Sequence, residues 1–215
     1  AIRRLIGTQA ITHRVDIGTG TGRMLELLAP QAASMTGFDR SPAMLRVARA
    51  KLTAAGLERA ALRQGDLYAL PLPAEAADLA LMHQVLHAVQ HPAAAISEAA
   101  RILSPGGRLL IVDFAPHPRE TLRDAHAHVH AGFSDTQIRG WLPDAGLACA
   151  QTIRLEGPST VRLWMGRRLA HTPAPNSFPL RGQRPPSRPL LTRSQRQASR
   201  PNSGSVSCPP PPFDS

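Results

Sequence analysis

Three glycines at alternate positions mark the part of this sequence that is best suited to bind a ligand. Gly18, Gly20 and Gly22 follow a short apolar run at 15–17, and an amphipathic segment begins at Arg23. This order predicts a strand, a tight turn and a helix, because glycine adopts positive φ and keeps the backbone accessible to a ligand. Free N–H groups at the start of the helix would then favour a negatively charged group. The pattern favours a nucleotide-like ligand over a tight turn that binds nothing.

The spacing of these glycines separates several classes of nucleotide site. A dinucleotide fingerprint would need glycine at position 23, which is Arg23, and a Walker-type loop would need a lysine, whereas Lys51 lies far away. The remaining pattern, Asp-x-Gly-x-Gly-x-Gly from Asp16, resembles motif I of the class I S-adenosylmethionine-dependent methyltransferases. The resemblance implies S-adenosyl-L-methionine as the cofactor. Its amino-acid tail would enter the loop, and the Asp16 carboxylate would help to hold its ammonium directly or through water.

Two further acidic residues follow at positions where such a cofactor needs them. Asp39 lies 21 residues after Gly18, at the end of a second predicted strand. A carboxylate at this place can accept hydrogen bonds from both hydroxyls of a ribose. Helix capping is its alternative role, and the position is shared with NAD-binding folds. In the resembled family, an acidic residue after the third strand meets the adenine amino group and the next backbone N–H meets the ring. Asp66 and Leu67 match that pattern.

The end of the fourth predicted strand completes the expected cofactor site. The run from His83 to His87 resembles the V-L-H segment of the family, whose strand end borders the methionine part of the cofactor. Met82 and His83 are therefore assigned to the cofactor site, and so is Arg40 beside Asp39.

Strands and helices alternate regularly along the chain, and the fold that they form must bring the residues of the expected cofactor site together. Strands are predicted at 13–17, 35–38, 61–64, 77–82 and 108–114, and helices after the glycine loop to about residue 28, at 43–55 and at 93–103. The last of these helices should end at Ser104-Pro105-Gly106-Gly107. Helices at 119–131 and from 134 to about 146, then strands at 148–155 and 159–166, complete the series. This order predicts an α/β fold with a doubly wound, mostly parallel seven-stranded sheet, the Rossmann-like methyltransferase fold.

The composition changes at about residue 171. Residues 171–215 contain eleven of the 21 prolines, eight serines and six arginines, without apolar periodicity. Such a segment buries too little apolar surface to offset its ordering entropy, so we expect it to be disordered. The predicted domains are a methyltransferase domain at 1–170 and a disordered tail at 171–215.

Charge, hydropathy and cysteine content argue against several functions. The tail carries half of the net charge of +10. The sequence contains no basic helix with interleaved aromatic residues, so it does not indicate a nucleic-acid partner. No apolar run approaches the ~20 residues of a membrane helix. Two distant cysteines, Cys149 and Cys208, indicate neither a disulfide framework nor a cysteine metal site. We expect a cytoplasmic enzyme without a metal ion; the sequence does not indicate an oligomeric state.

Histidine-rich stretches carry a finer resemblance. Residues 83–87 and 113–117, with His126, His128 and 132–135, look most like bacterial methyltransferases fused behind an ArsR-type regulator. The sequence starts at Ala1 without such a regulator, so DNA-dependent regulation is not inferred. Arsenic methylation is disfavoured, because those enzymes use several cysteines.

The resemblance implies methyl transfer from S-adenosylmethionine to a small-molecule acceptor. Alignment of the acceptor with the methyl group and exclusion of water would account for most of the rate enhancement. A general base would assist where the acceptor must lose a proton. His83, His87, His117 and His126 are candidate bases by position. His126 lies on the apolar stripe of its predicted helix, so a structural role or a metal-ligand role competes with an acceptor-facing one. A catalytically silent cofactor-binding sensor or scaffold and a NAD-linked oxidoreductase are the alternative functions.

Overall fold

A computed structural model of the chain describes residues 1–117, 129–157 and 160–169. These residues all fall in one compact unit, Ala1–Thr172. The predicted tail at 171–215 and His126 lie outside the described residues, so both remain predictions.

Seven strands form one sheet, as the sequence predicts. They are His13–Ile17 (β1), Ser34–Asp39 (β2), Ala60–Gln64 (β3), Ala77–His83 (β4), Leu103–Phe114 (β5), Leu147–Leu155 (β6) and Val161–Arg168 (β7). Their order in the sheet is β3-β2-β1-β4-β5-β7-β6. The first five strands are parallel, and β7 runs antiparallel to both β5 and β6. The chain order reverses between β1 and β4, where open α/β sheets bind ligands at the carboxyl ends of the strands.

Helices cover both faces of the sheet. They are Ile2–Ile6 (α1), Arg23–Leu27 (α2), Pro42–Ala54 (α3), Pro92–Arg101 (α4) and Asp135–Asp144 (α5), with 3-10 turns at Ala29–Gln31 and Leu86–Ala88. Along β4, Leu79 and Leu81 join the core under α1 and α2, whereas Ala80 and Met82 join the core under α4 and α5. The central strands are therefore apolar on both faces, as a parallel sheet requires.

Capping residues explain where two helices begin. The Ser41 hydroxyl accepts a hydrogen bond from the Met44 N–H at 3.3 Å, with Pro42 in the first turn of α3. Ser134 and Gln137 form a reciprocal capping box at the start of α5. The predicted positions of both helices are confirmed.

Two predicted segments differ from the structure. Residues 104–107 do not separate α4 from a later strand but belong to β5, where they bulge between the pairs Ala77–Leu103 and Leu79–Arg108. Proline and glycine at a bulge weaken pairing without ending the strand. The predicted helix at 119–131 lies largely outside the described residues, and its described end, 129–131, is not helical.

A buried arginine anchors the helix after the glycine loop. Arg14 is completely buried in β1 and donates hydrogen bonds to the carbonyls of Leu28 (2.7 Å) and Leu25 (3.1 Å) at the end of α2. Burial lowers the pKa of Arg14 to about 10, which leaves the guanidinium charged at neutral pH. Arg14 therefore holds α2 and the loop before it against the sheet.

No helix among the described residues is both long and apolar enough to cross a bilayer. The same residues contain no group of three His, Cys, Asp or Glu side chains placed to hold a metal ion.

Candidate active site

A cavity of about 680 Å³ opens at the carboxyl edge of the parallel strands. Its volume lies within the range of about 300–1,000 Å³ that is usual for small-molecule sites. The segments after β1, β2, β3 and β4 all contribute to its wall, with Gly18, Gly20, Asp39, Asp66 and Gln84 among the lining residues. The cavity therefore sits where the sheet topology places a ligand.

The glycine loop forms the floor of this cavity. Gly18 and Gly20 have φ of 72° and 54°. A Cβ on Gly18 would lie 2.5 Å from a Val85 methyl group, whereas a Cβ on Gly20 would meet nothing within 4 Å. Gly18 therefore allows the loop to pack on the segment after β4, and Gly20 leaves its backbone open to a ligand. Gly22 begins α2 and does not line the cavity.

Asp39 links the glycine loop to the start of α3. Its Oδ2 accepts a hydrogen bond from the Gly20 N–H, and its Oδ1 accepts one from the Ser41 N–H, each at 2.8 Å. A carboxylate offers about four acceptor positions, so these bonds leave acceptor capacity for a ligand. Asp39 and its neighbour Arg40 both line the cavity.

The loop after β3 forms the opposite wall. The Asp66 Oδ1 accepts a hydrogen bond from the Tyr68 N–H at 2.9 Å, and the Asp66 carbonyl accepts one from the Ala69 N–H at 3.1 Å. These bonds close a tight turn that presents Asp66, Leu67 and Tyr68 to the cavity.

Asp16 lies behind the glycine loop rather than in the cavity wall. Its side chain is 1% exposed, and the Thr19 hydroxyl donates to its Oδ2 at 2.6 Å. Burial raises the pKa of Asp16 to about 6, although the Thr19 hydrogen bond and the Arg14 charge act in the opposite direction. Asp16 therefore titrates close to neutral pH.

Met82 and His83 also lie outside the cavity wall. Met82 is completely buried in the core, and His83 is half-buried at the end of β4. Burial lowers the pKa of His83, and the negative charge of Asp113 opposes this. His83 is thus predominantly neutral at pH 7.

His87 is paired with a buried carboxylate. Its Nδ1 lies 2.8 Å from Oδ1 of Asp113, which is completely buried. The Asp113 Oδ2 accepts hydrogen bonds from the N–H groups of Leu86 (2.9 Å) and His87 (3.3 Å). His87 is itself buried and does not line the cavity, although Val85 and Ala88 on either side of its turn do. His117, another candidate base, has its Nδ1 3.1 Å from the Ala115 carbonyl.

Gln84 is a site residue that the sequence does not reveal. It has φ of 54°, which is uncommon for a residue other than glycine and often marks a functional site. Its N–H donates to the Val112 carbonyl at 2.7 Å. The residue is exposed and lines the cavity. The only signal in the sequence is its place directly after β4.

Met44 is the second unexpected lining residue. The apolar repeat of α3 includes Met44 and Val47, but they are 45% and 51% exposed, while Leu45, Ala48 and Leu52 pack inward. Met44 lies in the first turn of α3 and lines the cavity.

Comparisons with known proteins agree with this geometry. Residues 15–111 match the family model described as a methyltransferase domain. The chain is 36% identical over 116 residues to the demethylmenaquinone methyltransferase of Tropheryma whipplei (strain Twist), covering 54% of this chain and 47% of that protein. It is 32% identical over 161 residues to the malonyl-[acyl-carrier protein] O-methyltransferase of Methylococcus capsulatus, covering 69% and 58%. The chain spans about half the length of the curated relatives it matches.

The fold also matches solved structures. An S-adenosylmethionine-dependent methyltransferase from Aquifex aeolicus superimposes with a TM-score of 0.65 at 20% identity, covering 77% of this chain and 87% of that one. This likeness concerns the fold alone. The sequence of residues 15–111 therefore matches a methyltransferase domain, and S-adenosylmethionine is the cofactor that this match implies.

Proposed function

We propose that this chain transfers the methyl group of S-adenosylmethionine to a small-molecule acceptor. The observation that carries the proposal is the convergence of the glycine loop, Asp39 and the Asp66 turn on one cavity. In this arrangement the Asp39 carboxylate would accept hydrogen bonds from the ribose hydroxyls, and Asp66 with the Leu67 N–H would bind the adenine. Gly18 and Gly20 would hold the amino-acid tail.

The remaining wall supports an acceptor with apolar character. Val85, Ala88, Val89 and Val129 also line the cavity, with Gln84 as a polar group among them. The relatives are named for demethylmenaquinone and for malonyl-acyl carrier protein, so both are reasonable acceptors to test. We place the reaction in the cytoplasm; the resemblance to ArsR-fused methyltransferases remains a prediction.

Although its ring is buried and does not line the cavity, His87 lies in the turn between the lining residues Val85 and Ala88, and it is the base that we propose for acceptors that must lose a proton. Its hydrogen bond to Asp113 favours the tautomer with the proton on Nδ1, which makes Nε2 the basic nitrogen. When held by Asp39, Asp66 and the glycine loop, S-adenosylmethionine would supply an electrophilic methyl group for the acceptor, with S-adenosylhomocysteine as the leaving group. Val85 and the other apolar lining residues exclude water from the line of attack. His87 removes the acceptor proton, and the Asp113 carboxylate stabilises the resulting imidazolium.

His87→Asn is expected to lower the rate of methyl transfer by about 10²- to 10⁴-fold, the usual contribution of a general base. The asparagine amide can replace the Nδ1–H donor to Asp113 but offers no nitrogen at the Nε2 position, so cofactor affinity should persist. The measurement is transfer of labelled methyl from saturating S-adenosylmethionine to demethylmenaquinone and to malonyl-acyl carrier protein.

His13→Asn is the matched control, since His13 lies at the amino end of β1 on the opposite edge of the sheet. A wild-type rate in His87→Asn would remove His87 as the base and leave His83, His117 and His126 as candidates. Cofactor binding without transfer to any acceptor of a broader panel would favour the silent sensor or scaffold.

A further inference from the structure

We propose that Glu98 on α4 is a positioning residue for the cofactor, acting together with Arg101. The pair, named here the Glu98–Arg101 clamp, holds residues 65–72 in the shape that binds the adenine. Residues 65–72 are named here the adenine loop. This inference rests on the proposed placement of the adenine against Asp66 and Leu67. Glu98 and Arg101 do not line the cavity, so they act only through the loop.

The side chains of this pair satisfy backbone groups of the adenine loop. The Glu98 Oε1 accepts a hydrogen bond from the Leu70 N–H at 2.7 Å. The Arg101 Nη2 donates to the carbonyls of Leu70 (3.1 Å) and Leu72 (2.9 Å). Two side chains from one helix therefore hold three main-chain groups of a loop that lies 28 to 31 residues earlier in the sequence.

Glu98 and Arg101 also fix one another. The Arg101 Nε lies 2.7 Å from Glu98 Oε2, and its Nη2 lies 2.7 Å from Oε1, which is the two-pronged geometry of a strong ion pair. Burial raises the pKa of Glu98, but the hydrogen bonds from Arg101 and Leu70 outweigh it, so the pKa lies below the usual value. Glu98 is charged at neutral pH.

The helix that carries this pair is a firm base. Ala95, Ile96 and Ala99 on its inner face are completely buried in the core of the sheet. At its N-terminus, the His91 N–H donates to the Tyr68 hydroxyl at 3.0 Å. The adenine loop is thus fixed to α4 at Tyr68 and again at Leu70.

The residues held between β3 and the clamp are those that line the cavity. Asp66, Leu67 and Tyr68 line the cavity and lie shortly before Leu70 in the sequence. Leu70 is 4% exposed, so it anchors the loop in the core. A loop ordered before the ligand arrives does not lose conformational entropy on binding. The clamp should therefore raise affinity for the cofactor without contacting it.

Calorimetric titration of the full chain with S-adenosylmethionine tests this role. Glu98→Ala should weaken affinity about tenfold, because the Leu70 N–H loses its acceptor and Arg101 loses its partner. Glu98→Gln should recover part of the affinity, since its amide oxygen can still accept from Leu70. Glu156→Ala is the control: Glu156 pairs with the exposed Arg154 at 2.6 Å, after β6 at the far edge of the sheet, and should bind as wild type.

Hydrogen exchange of the ligand-free chain gives a readout that does not depend on the cofactor. Amides of residues 66–70 should exchange faster in Glu98→Ala than in wild type or Glu156→Ala. Wild-type affinity in Glu98→Ala, even with a lowered melting temperature, would overturn the proposal and leave Glu98 a purely structural residue. Unchanged exchange at 66–70 would also overturn it. A wild-type chain that fails to bind S-adenosylmethionine would overturn the proposed function as well.

Discussion

Asp39→Ala should weaken binding of S-adenosylmethionine by about a hundredfold or more. Two charge-assisted hydrogen bonds to the ribose would be lost, each contributing about 1.5–3 kcal/mol. The change also removes the acceptor for the N–H groups of Gly20 and Ser41, so the glycine loop would lose its link to α3. Both effects act on cofactor affinity, which makes this the substitution with the largest expected loss.

Calorimetric titration with S-adenosylmethionine is the measurement for this variant, with Asp144→Ala as its control. Asp144 ends α5 and is exposed, so its removal changes charge by the same amount away from the cavity. Asp39→Asn should fall between wild type and Asp39→Ala, because the amide keeps one acceptor oxygen. Equal dissociation constants for wild type and Asp39→Ala would remove Asp39 from the cofactor site.

Asp16→Asn should stabilise the ligand-free protein at pH 8 while weakening its affinity for the cofactor. Burial raises the folded-state pKa of Asp16 to about 6 from 3.8, so the folded chain holds this proton more tightly than the unfolded chain. The stabilisation due to that proton is complete below about pH 4 and disappears as the pH rises through 6. Above pH 6 the buried charge costs at most about 3 kcal/mol, at about 1.4 kcal/mol for each pKa unit. A neutral asparagine avoids that cost.

The opposite effect on binding follows from the contact with the cofactor ammonium that the sequence predicts. This contact needs the charged carboxylate and would be made through water, because Asp16 lies behind the glycine loop. Denaturant unfolding of the ligand-free wild type and Asp16→Asn between pH 4 and pH 8 measures the first effect, and calorimetry with S-adenosylmethionine the second. The advantage of Asp16→Asn should vanish near pH 4. A variant that is less stable than wild type at pH 8 would show that the charged carboxylate is compensated by its neighbours, Thr19 and Arg14.

The fold could be predicted because its local signals agree with one another. The glycine turn after β1, the Ser41-Pro42 start of α3 and the apolar runs of β4 and β5 each specify an element without reference to distant residues. The error at 104–107 arose because proline and glycine mark both chain turns and bulges. Only the pairing of β5 with β4 distinguishes a bulge from a turn, and that pairing cannot be inferred from the local sequence.

The site was predicted less completely, because motifs give positions but not side-chain directions. Gly18, Gly20, Asp39, Arg40, Asp66 and Leu67 line the cavity, whereas Asp16, Gly22, Met82 and His83 do not. Residue 16 alternates with Val15 and Ile17, which point into the core under α4, so its carboxylate turns towards Thr19 behind the loop. Gln84 depends on an unusual φ, and the Glu98–Arg101 clamp depends on a loop far away in sequence. Neither leaves a local pattern.

Parallel titration of the purified chain with S-adenosylmethionine and with NAD tests the central claim most directly. Position 23 is Arg23, where a dinucleotide site would have glycine, whereas Asp39 is common to both cofactor classes. Titration with the two ligands therefore distinguishes an S-adenosylmethionine site from a dinucleotide site. We expect one S-adenosylmethionine to bind per chain and to be displaced by S-adenosylhomocysteine, with no measurable effect of NAD. Binding of NAD in the absence of any binding of S-adenosylmethionine would contradict the account.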